Sequence, residues 1–270
     1  MSLLGASEIR QLAESLDIKP TKKLGQNFVI DPNTIRKIIS KANLDGSEQV
    51  VEIGPGLGSL TLGLFEQVDS VVAVEIDSRL ASLLPETVEK HTSGKQLQVI
   101  NADALKITDI PQSQALVANL PYNISVPVLL HFLESFPSIQ KGLVLVQSEV
   151  ARRLVAKPND DEYGIPSLKL AWWANARLAG GVSRQIFWPV PNVDSELVYF
   201  EKVETEGDRR RTFELIDKSF GTRRKSLAAS LKTSFSYPVT EALEKVGIKP
   251  NARPEQLSLS EFLNLARLDK

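Results

Sequence analysis

From residue 50 onward, short apolar runs alternate with segments of helical periodicity. The runs are apolar on both faces, as strands are when helices cover both sides of a parallel sheet. Between two of them, an apolar stripe through Leu80, Leu84 and Val88 has the spacing of a helix. The pattern therefore predicts an α/β fold with a mostly parallel sheet. Its five strands are expected at 50–53, 71–75, 97–100, 115–118 and 142–147.

Two further patterns flank this core. Asp31 precedes Pro32 and an apolar stripe through Ile35 and Ile39, which predicts a capped helix. The apolar run at 197–203 is expected to pair with 184–191 as an antiparallel hairpin at the sheet edge.

A polar, charged segment at 204–211 separates this α/β part from a C-terminal part with helical patterns only. In the latter, Ser258 and Glu261 have the spacing of a capping box. We therefore predict a large domain over 1–206 and a small all-helical domain over 207–270.

Composition narrows the chemistry. The chain has 270 residues, no Cys and two His, which excludes disulfides, cysteine nucleophiles and Cys/His zinc sites, and no metal site is predicted. The first residues lack a basic start followed by an apolar core, and no stretch approaches the roughly 20 apolar residues that span a bilayer. A soluble, cytoplasmic protein is expected. Catalysis would depend on carboxylates, amides, hydroxyls, aromatic rings or a bound cofactor.

A glycine-rich run from Gly54 to Gly58 follows the first predicted strand and precedes a helical stretch. Such a turn lets a ligand approach the backbone and a helix N-terminus. It is not a dinucleotide fingerprint, because Ser59 occupies the position of the third glycine or alanine. With Glu52 in front, the run E-x-G-x-G-x-G resembles the first motif of methyltransferases that use S-adenosylmethionine (SAM).

Carboxylates follow the next two strands. Glu75 ends the second strand, where a carboxylate can accept both hydroxyls of a ribose, and Asp103 follows the third, where it can accept from an adenine amino group. Because parallel strands end at one edge of the sheet, these residues are expected to share one site with the glycine run.

The run from Asn119 to Tyr122 follows the fourth strand and suits methyl transfer to a planar amine. The amide oxygen of Asn119 and the backbone carbonyl of Leu120 can accept the two hydrogens of an adenine amino group. Tyr122 can stack on the base. A strong general base is not needed.

Taken in order, these motifs closely resemble the ribosomal small-subunit (16S) RNA adenine N6,N6-dimethyltransferases of the KsgA (RsmA) type. The resemblance covers almost the whole chain. It is carried by 23–28, 52–58, Glu75, Asp103, 119–125, 147–154, 163–164, 187–195, Phe220 and 223–225.

This resemblance implies a Rossmann-like class I SAM-dependent methyltransferase fold, with residues 1–30 lying over the cofactor. The flipped base would lie between Tyr122 and Phe187. The implied cofactor contacts are Asn27, the backbone at Val29, Gly54, Gly56, Glu75, Asp103 and Asn119. The implied catalytic residues are Asn119, Leu120, Pro121, Tyr122 and Phe187.

An RNA substrate requires local positive charge, since the net charge of the chain is −1. Between residues 207 and 232, eight basic residues face three acidic ones, a local balance of +5. We predict phosphate contacts there and at a basic pair before it. The predicted RNA-binding residues are Arg152, Arg153, Arg223, Arg224 and Lys225.

Three functions remain open at this point. The first is dimethylation of two adjacent adenines in the 3′-terminal hairpin loop of 16S rRNA during small-subunit biogenesis. The second is 23S rRNA adenine methylation of the macrolide-resistance type, and the third is a non-catalytic RNA-binding assembly factor. For the first, the expected partner is 16S rRNA in the small subunit or its precursor, with a monomeric enzyme and no membrane contact.

Overall fold

The computed structural model describes residues 2–18, 27–221 and 225–268. The chain forms two compact units. The first takes residues 1–151 and 177–202, and the second takes 152–176 and 203–270.

The first unit contains most of a seven-stranded sheet with the order β4-β3-β2-β5-β6-β9-β7. From β4 to β6 the neighbours are parallel, whereas β9 runs antiparallel to β6. This is the mostly parallel α/β sheet that the sequence predicts. The strands are β2 (Gln49–Ile53), β3 (Ser70–Glu75), β4 (Gln96–Asn101), β5 (Ala115–Asn119), β6 (Lys141–Gln147), β7 (Ala174–Val182) and β9 (Ser195–Lys202). Two short strands, β1 (Phe28–Val29) and β8 (Phe187–Trp188), pair separately in antiparallel fashion.

The five predicted parallel strands are confirmed, but the predicted edge hairpin is wrong. β9 neighbours β6 and β7, and the residues predicted to pair with it instead include β8, which pairs with β1. The reason is that β7 is a poor strand by its sequence: it contains Gly180 and Gly181 and is largely exposed, so it has no apolar pattern to mark it.

Helices connect the strands and cover the sheet. The helix predicted after Asp31 is confirmed: the Asp31 carboxylate accepts from the Thr34 backbone N–H at 2.9 Å, and Ile35, Ile38 and Ile39 are buried. The helices that begin in the first unit are α1 (Ala6–Ser15), α2 (Pro32–Lys41), α3 (Ser59–Phe65), α4 (Ser78–His91), α5 (Ser125–Ser135) and α6 (Ser148–Val155).

The second unit is helical and has its own apolar core. Its helices are α7 (Ile165–Trp173), α8 (Arg209–Phe220), α9 (Leu227–Ser230), α10 (Val239–Lys245) and α11 (Leu259–Ala266). The capping box predicted at α11 is confirmed, since Ser258 and Glu261 bond reciprocally.

The division into units differs from the predicted boundary after residue 206. Residues 152–176 belong to the second unit because Tyr163 and Leu168 are buried in the same cluster as Leu215 and Leu257. Within the residues described, no helix is long and apolar enough to cross a membrane.

Candidate active site

The glycine turn between β2 and α3 bends through backbone conformations that favour glycine. Gly54, Gly56 and Gly58 have φ values of +68°, +58° and +95°. A side chain at Gly56 would lie 2.8 Å from the Phe28 ring, whereas a Cβ at Gly54 would meet nothing within 4 Å. The turn is therefore closed by Phe28 at Gly56 and open at Gly54, where a ligand can approach the backbone.

Glu75 is held in place at the end of β3. Its Oε2 accepts from the Gly56 backbone N–H at 3.1 Å, and its Oε1 accepts from the Asp77 backbone N–H at 2.9 Å. Burial raises the pKa of this carboxyl, with the two backbone hydrogen bonds acting against that shift. Each carboxylate oxygen keeps further acceptor capacity. The arrangement is suited to accepting two neighbouring hydroxyls, as the ribose prediction requires.

Asp103 lies just beyond β4 on the same edge of the sheet. Its Oδ1 accepts from the Leu105 backbone N–H at 2.9 Å, and its Oδ2 is 3.6 Å from Lys106 Nζ. The side chain is 30% exposed, so the carboxylate remains accessible to a ligand amino group.

Asn119 ends β5, and a hydrogen bond to a residue distant in the sequence orients its side-chain amide. Its Nδ2 donates to the backbone carbonyl of Asn27 at 3.0 Å, which leaves Oδ1 as the acceptor. Among the residues that the structure describes, no donor reaches Oδ1. The neighbouring Leu120 has a buried side chain, and its backbone N–H donates to Leu145 at 3.1 Å. Asn119 Oδ1 is thus available to accept a hydrogen bond from an amine.

One pocket in the first unit collects most of the predicted site. It contains about 880 Å³ of empty space, part of which is open to solvent. The predicted residues that line it are Asn27, Val29, Gly54, Gly56, Glu75, Asp103, Asn119 and Pro121. Asn27 and Asn119, which are 92 positions apart in the sequence, therefore meet in a pocket at the carboxyl edge of β2 to β5, where open α/β sheets bind ligands.

Leu120, Tyr122 and Phe187 do not line this pocket. Tyr122 is partly exposed, and its hydroxyl lies 2.7 Å from Ser195 Oγ. Phe187 is only 1% exposed because β8 pairs it with Val29 and packs its ring in the main core. The stacking role of Phe187 therefore stays a prediction, and it requires a movement that exposes the ring.

Glu52 and Ile76 are among the pocket residues for which the sequence predicted no contact. Glu52 is 1% exposed, and burial raises its pKa to about 8, although Thr61 Oγ1 donates to its Oε2 at 2.6 Å. The signal for Glu52 was its place in the glycine motif. Ile76 lines the pocket while 55% exposed, directly after Glu75. The sequence signal for Ile76 is an apolar residue at the end of a strand, directly after Glu75, which is predicted to bind the ribose.

The described part of the predicted RNA-binding set lies in the second unit. Arg152 and Arg153 are on α6, and Arg152 is exposed. Lys225 is also exposed and follows α8. Arg223 and Arg224 lie outside the described residues.

Several basic residues counted in the +5 balance serve the fold of the second unit. Arg211 donates to the Ser234 carbonyl and lies over the Phe235 ring. The Arg209 guanidinium stacks 5.3 Å from the Trp173 ring centre, and Lys218 pairs with Glu214 at 2.8 Å. In contrast, Arg210, Lys225 and Lys232 are exposed. The charge available to RNA is thus smaller than the count suggests.

Across the described ranges, no group of three acidic or histidine side chains is placed to hold a metal ion.

The fold and this pocket define a Rossmann-like methyltransferase with S-adenosyl-L-methionine as its cofactor. Residues 18–269 match the model of the ribosomal RNA adenine dimethylase family, and the chain belongs to that family.

The relatives agree in sequence and in fold. The chain is 54% identical to "Ribosomal RNA small subunit methyltransferase A" of Leifsonia xyli subsp. xyli, with 98% of each chain covered. It is 51% identical to the protein of the same name from Kineococcus radiotolerans, with 98% of this chain and 91% of the relative covered.

Two solved structures are also similar. A dimethyladenosine transferase from Plasmodium falciparum superposes with a TM-score of 0.76 at 26% identity, covering 87% of this chain and 94% of the other. The 23S rRNA methyltransferase ErmE gives a TM-score of 0.67 at 29% identity, covering 89% and 98%. The predicted fold class, enzyme class and cofactor are therefore confirmed.

Proposed function

We propose that this enzyme dimethylates the exocyclic N6 amines of two adjacent adenines in the 3′-terminal hairpin loop of 16S rRNA. The observation that carries the proposal is the orientation of Asn119. Its Nδ2 is bonded to the Asn27 carbonyl, so its Oδ1 is an acceptor beside the pocket formed by Gly54, Glu75 and Asp103.

The pocket residues fit the cofactor by their own chemistry. When bound, S-adenosyl-L-methionine supplies an electrophilic methyl group and a neutral sulfide leaving group. Glu75, fixed by two backbone amides, would hold the ribose, and Asp103 would hold the adenine amino group. The open backbone at Gly54 would contact the methionine part. Glu52 provides a further buried carboxyl in the same pocket.

Asn119 and Leu120 would prepare the target amine. The lone pair of an adenine amino group is delocalised into the ring, which makes its nitrogen a poor nucleophile. Two neutral acceptors, Asn119 Oδ1 and the Leu120 carbonyl, would accept hydrogen bonds from its two N–H groups. These bonds would orient the nitrogen and offset developing positive charge. Because the nitrogen loses a proton only after it has become cationic, solvent can accept that proton.

Tyr122 would stack on the extruded base. A base must leave its own stack to reach such a site, and the cost is smallest in a loop. An aromatic face compensates by roughly 1–3 kcal/mol per base. Phe187 would take the opposite face once RNA binding exposes its ring.

The second unit would hold the RNA backbone. Arg152 and Lys225 are exposed cations of this unit, and such residues provide affinity through phosphates without reading sequence. Arg153 belongs to the same proposed contact, together with the undescribed Arg223 and Arg224. The context we propose is the small subunit or its precursor in the cytoplasm, with the enzyme acting as a monomer.

One other substrate has support from a specific comparison. The structural similarity to ErmE, at 29% identity, makes 23S rRNA the second candidate. The small subunit is favoured because relatives named as its methyltransferase are 54% and 51% identical over nearly the whole chain.

The test is incubation with labelled cofactor and separately purified, unmethylated small and large subunits, followed by mapping of reverse-transcription stops. We expect stops at two adjacent adenines of 16S rRNA. Label confined to 23S rRNA would support the second candidate. Absence of label in both, with retained RNA binding, would support the non-catalytic assembly factor.

A further inference from the structure

Ser195, the first residue of β9, makes a contact that the proposed chemistry has not used. Its side chain is fully buried, with 0% exposure, and its Oγ lies 2.7 Å from the Tyr122 hydroxyl. Among the described residues, this is the one side-chain hydrogen bond that the Ser195 hydroxyl or the Tyr122 hydroxyl makes. A buried serine keeps its hydroxyl at a cost unless a partner satisfies it, and here the partner is the ring proposed to stack on the base.

The position of Ser195 is itself fixed from two sides. It pairs with Gln147 in the register of β6 and β9. The preceding residue, Asp194, accepts from the Ser148 backbone N–H through its carbonyl and from the Arg184 backbone N–H through its Oδ1, at 3.0 and 2.9 Å. The hydroxyl of Ser195 is therefore presented to Tyr122 from a rigid strand end.

Tyr122 is consequently held at both ends of its side chain. Its backbone lies in a turn closed by the bond from Ile124 N–H to the Pro121 carbonyl at 3.2 Å, and its far end is held by Ser195. Burial and the nearby Asp194 carboxylate raise the pKa of Tyr122, so the phenol remains neutral and able to donate. A ring held in this way loses less rotational freedom when a base stacks on it.

We propose that Ser195 is a positioning residue, which orients the Tyr122 ring to receive the extruded adenine. The inference rests on the proposed function, because it assumes that Tyr122 contacts the target base. Ser195 would act through Tyr122 alone and would touch neither the cofactor nor the reacting nitrogen.

The test is a double-mutant cycle with Ser195→Ala and Tyr122→Phe, measured by single-turnover methyl transfer on the RNA that the wild type labels. The Phe variant keeps the ring and removes the hydrogen bond. We expect each single variant to lower transfer by roughly three- to tenfold with unchanged cofactor affinity, as the loss of one hydrogen bond predicts. The double variant should be no slower than either single variant, because both remove the same contact.

A general effect of Ser195 on folding would behave differently, since it would lower transfer equally in the Tyr and Phe backgrounds. The positioning role would be overturned if the losses of the two single variants multiplied in the double variant. It would also be overturned if Ser195→Ala left transfer unchanged or lowered cofactor affinity to the same extent as transfer. The matched control is Ser113→Ala, which removes another fully buried hydroxyl, bonded to the Pro111 carbonyl, and should leave transfer unchanged. A wild type that labels no RNA would overturn the proposed function and this inference together, whereas a labelling wild type with multiplying losses overturns only the inference.

Discussion

The cofactor pocket of the first unit and the basic surface of the second differ in how their residues are positioned. In the pocket, Gly54, Glu75 and Asn119 lie at or just beyond the ends of three different strands, where backbone pairing and hydrogen bonds hold them. In the helical unit, basic residues divide between internal contacts, such as those of Arg211, and exposed positions such as Lys225. In a parallel sheet, the order of the strand ends in the sequence indicates which residues lie together in space. A count of basic residues on helices does not indicate which of them are exposed. Single substitutions should therefore have large effects in the pocket and small ones on the basic surface.

The largest effect is expected for Asn119→Ala. Loss of the oriented acceptor should slow methyl transfer by roughly 10³-fold, while cofactor affinity stays within a few-fold. Rapid-quench measurement of transfer and calorimetric titration of the cofactor separate the two quantities. Equal loss of both would mean that Asn119, through its bond to Asn27, mainly holds the pocket together.

Glu52 should make the stability of the protein depend on pH. Burial raises its pKa from 4.5 to about 8, so the folded state retains a proton that the unfolded chain releases. The stabilising contribution is complete below about pH 4.5 and is lost as pH rises through 8. Between pH 6 and pH 8 the free energy of unfolding should fall by roughly 2–3 kcal/mol because of this group.

Glu52→Gln, which cannot ionise, is the matched comparison for this prediction. Urea unfolding of both proteins from pH 5 to pH 9, without cofactor, should show a flatter dependence for the Gln variant. Parallel curves for the two proteins would contradict the assignment.

Glu75→Ala should weaken cofactor binding by roughly ten- to hundredfold, because charge-assisted hydrogen bonds to the ribose would be lost. Glu75→Gln keeps the side-chain volume and one acceptor oxygen, so it can retain only one of the two bonds from the Gly56 and Asp77 backbone N–H groups. Glu86→Ala, at an exposed glutamate of α4, is the control for a change of net charge. Unchanged affinity in both Glu75 variants would refute the ribose assignment.

The smallest effect is expected on the basic surface. Lys225→Ala should weaken RNA binding only a few-fold and reduce the slope of log affinity against log salt by roughly 0.7–0.9. Lys245, which is paired with Glu241 at 2.9 Å, provides a matched control whose removal should change the slope less. A loss from Lys225→Ala as large as that from Asn119→Ala would erase the contrast between the two regions.

The sequence predicted the parallel strands and the pocket because both depend on local patterns that the topology of the sheet brings together. Glu75 and Asp103 follow apolar runs, and such strand ends share one edge. The partner of β9 was not predictable in the same way, because β7 combines exposed positions with glycines. Likewise, no periodicity could show that Phe187 is buried against Val29, since this depends on pairing between segments far apart in the chain.

The separation of units also depended on tertiary contacts. Residues 152–176 follow the α/β pattern in sequence, but Leu168 packs in the helical core. Glu52 was visible as a motif position, yet its raised pKa follows from burial that only the folded chain provides.

A crystal structure of the protein with S-adenosylhomocysteine, the product left after methyl transfer, would show directly whether Glu75, Asp103 and Asn119 surround the cofactor. We expect the ribose hydroxyls on the Glu75 carboxylate, the adenine amino group at Asp103, and Asn119 Oδ1 facing the sulfur across open space. A ligand bound elsewhere, or an Asn119 amide turned away from the sulfur, would contradict this expectation.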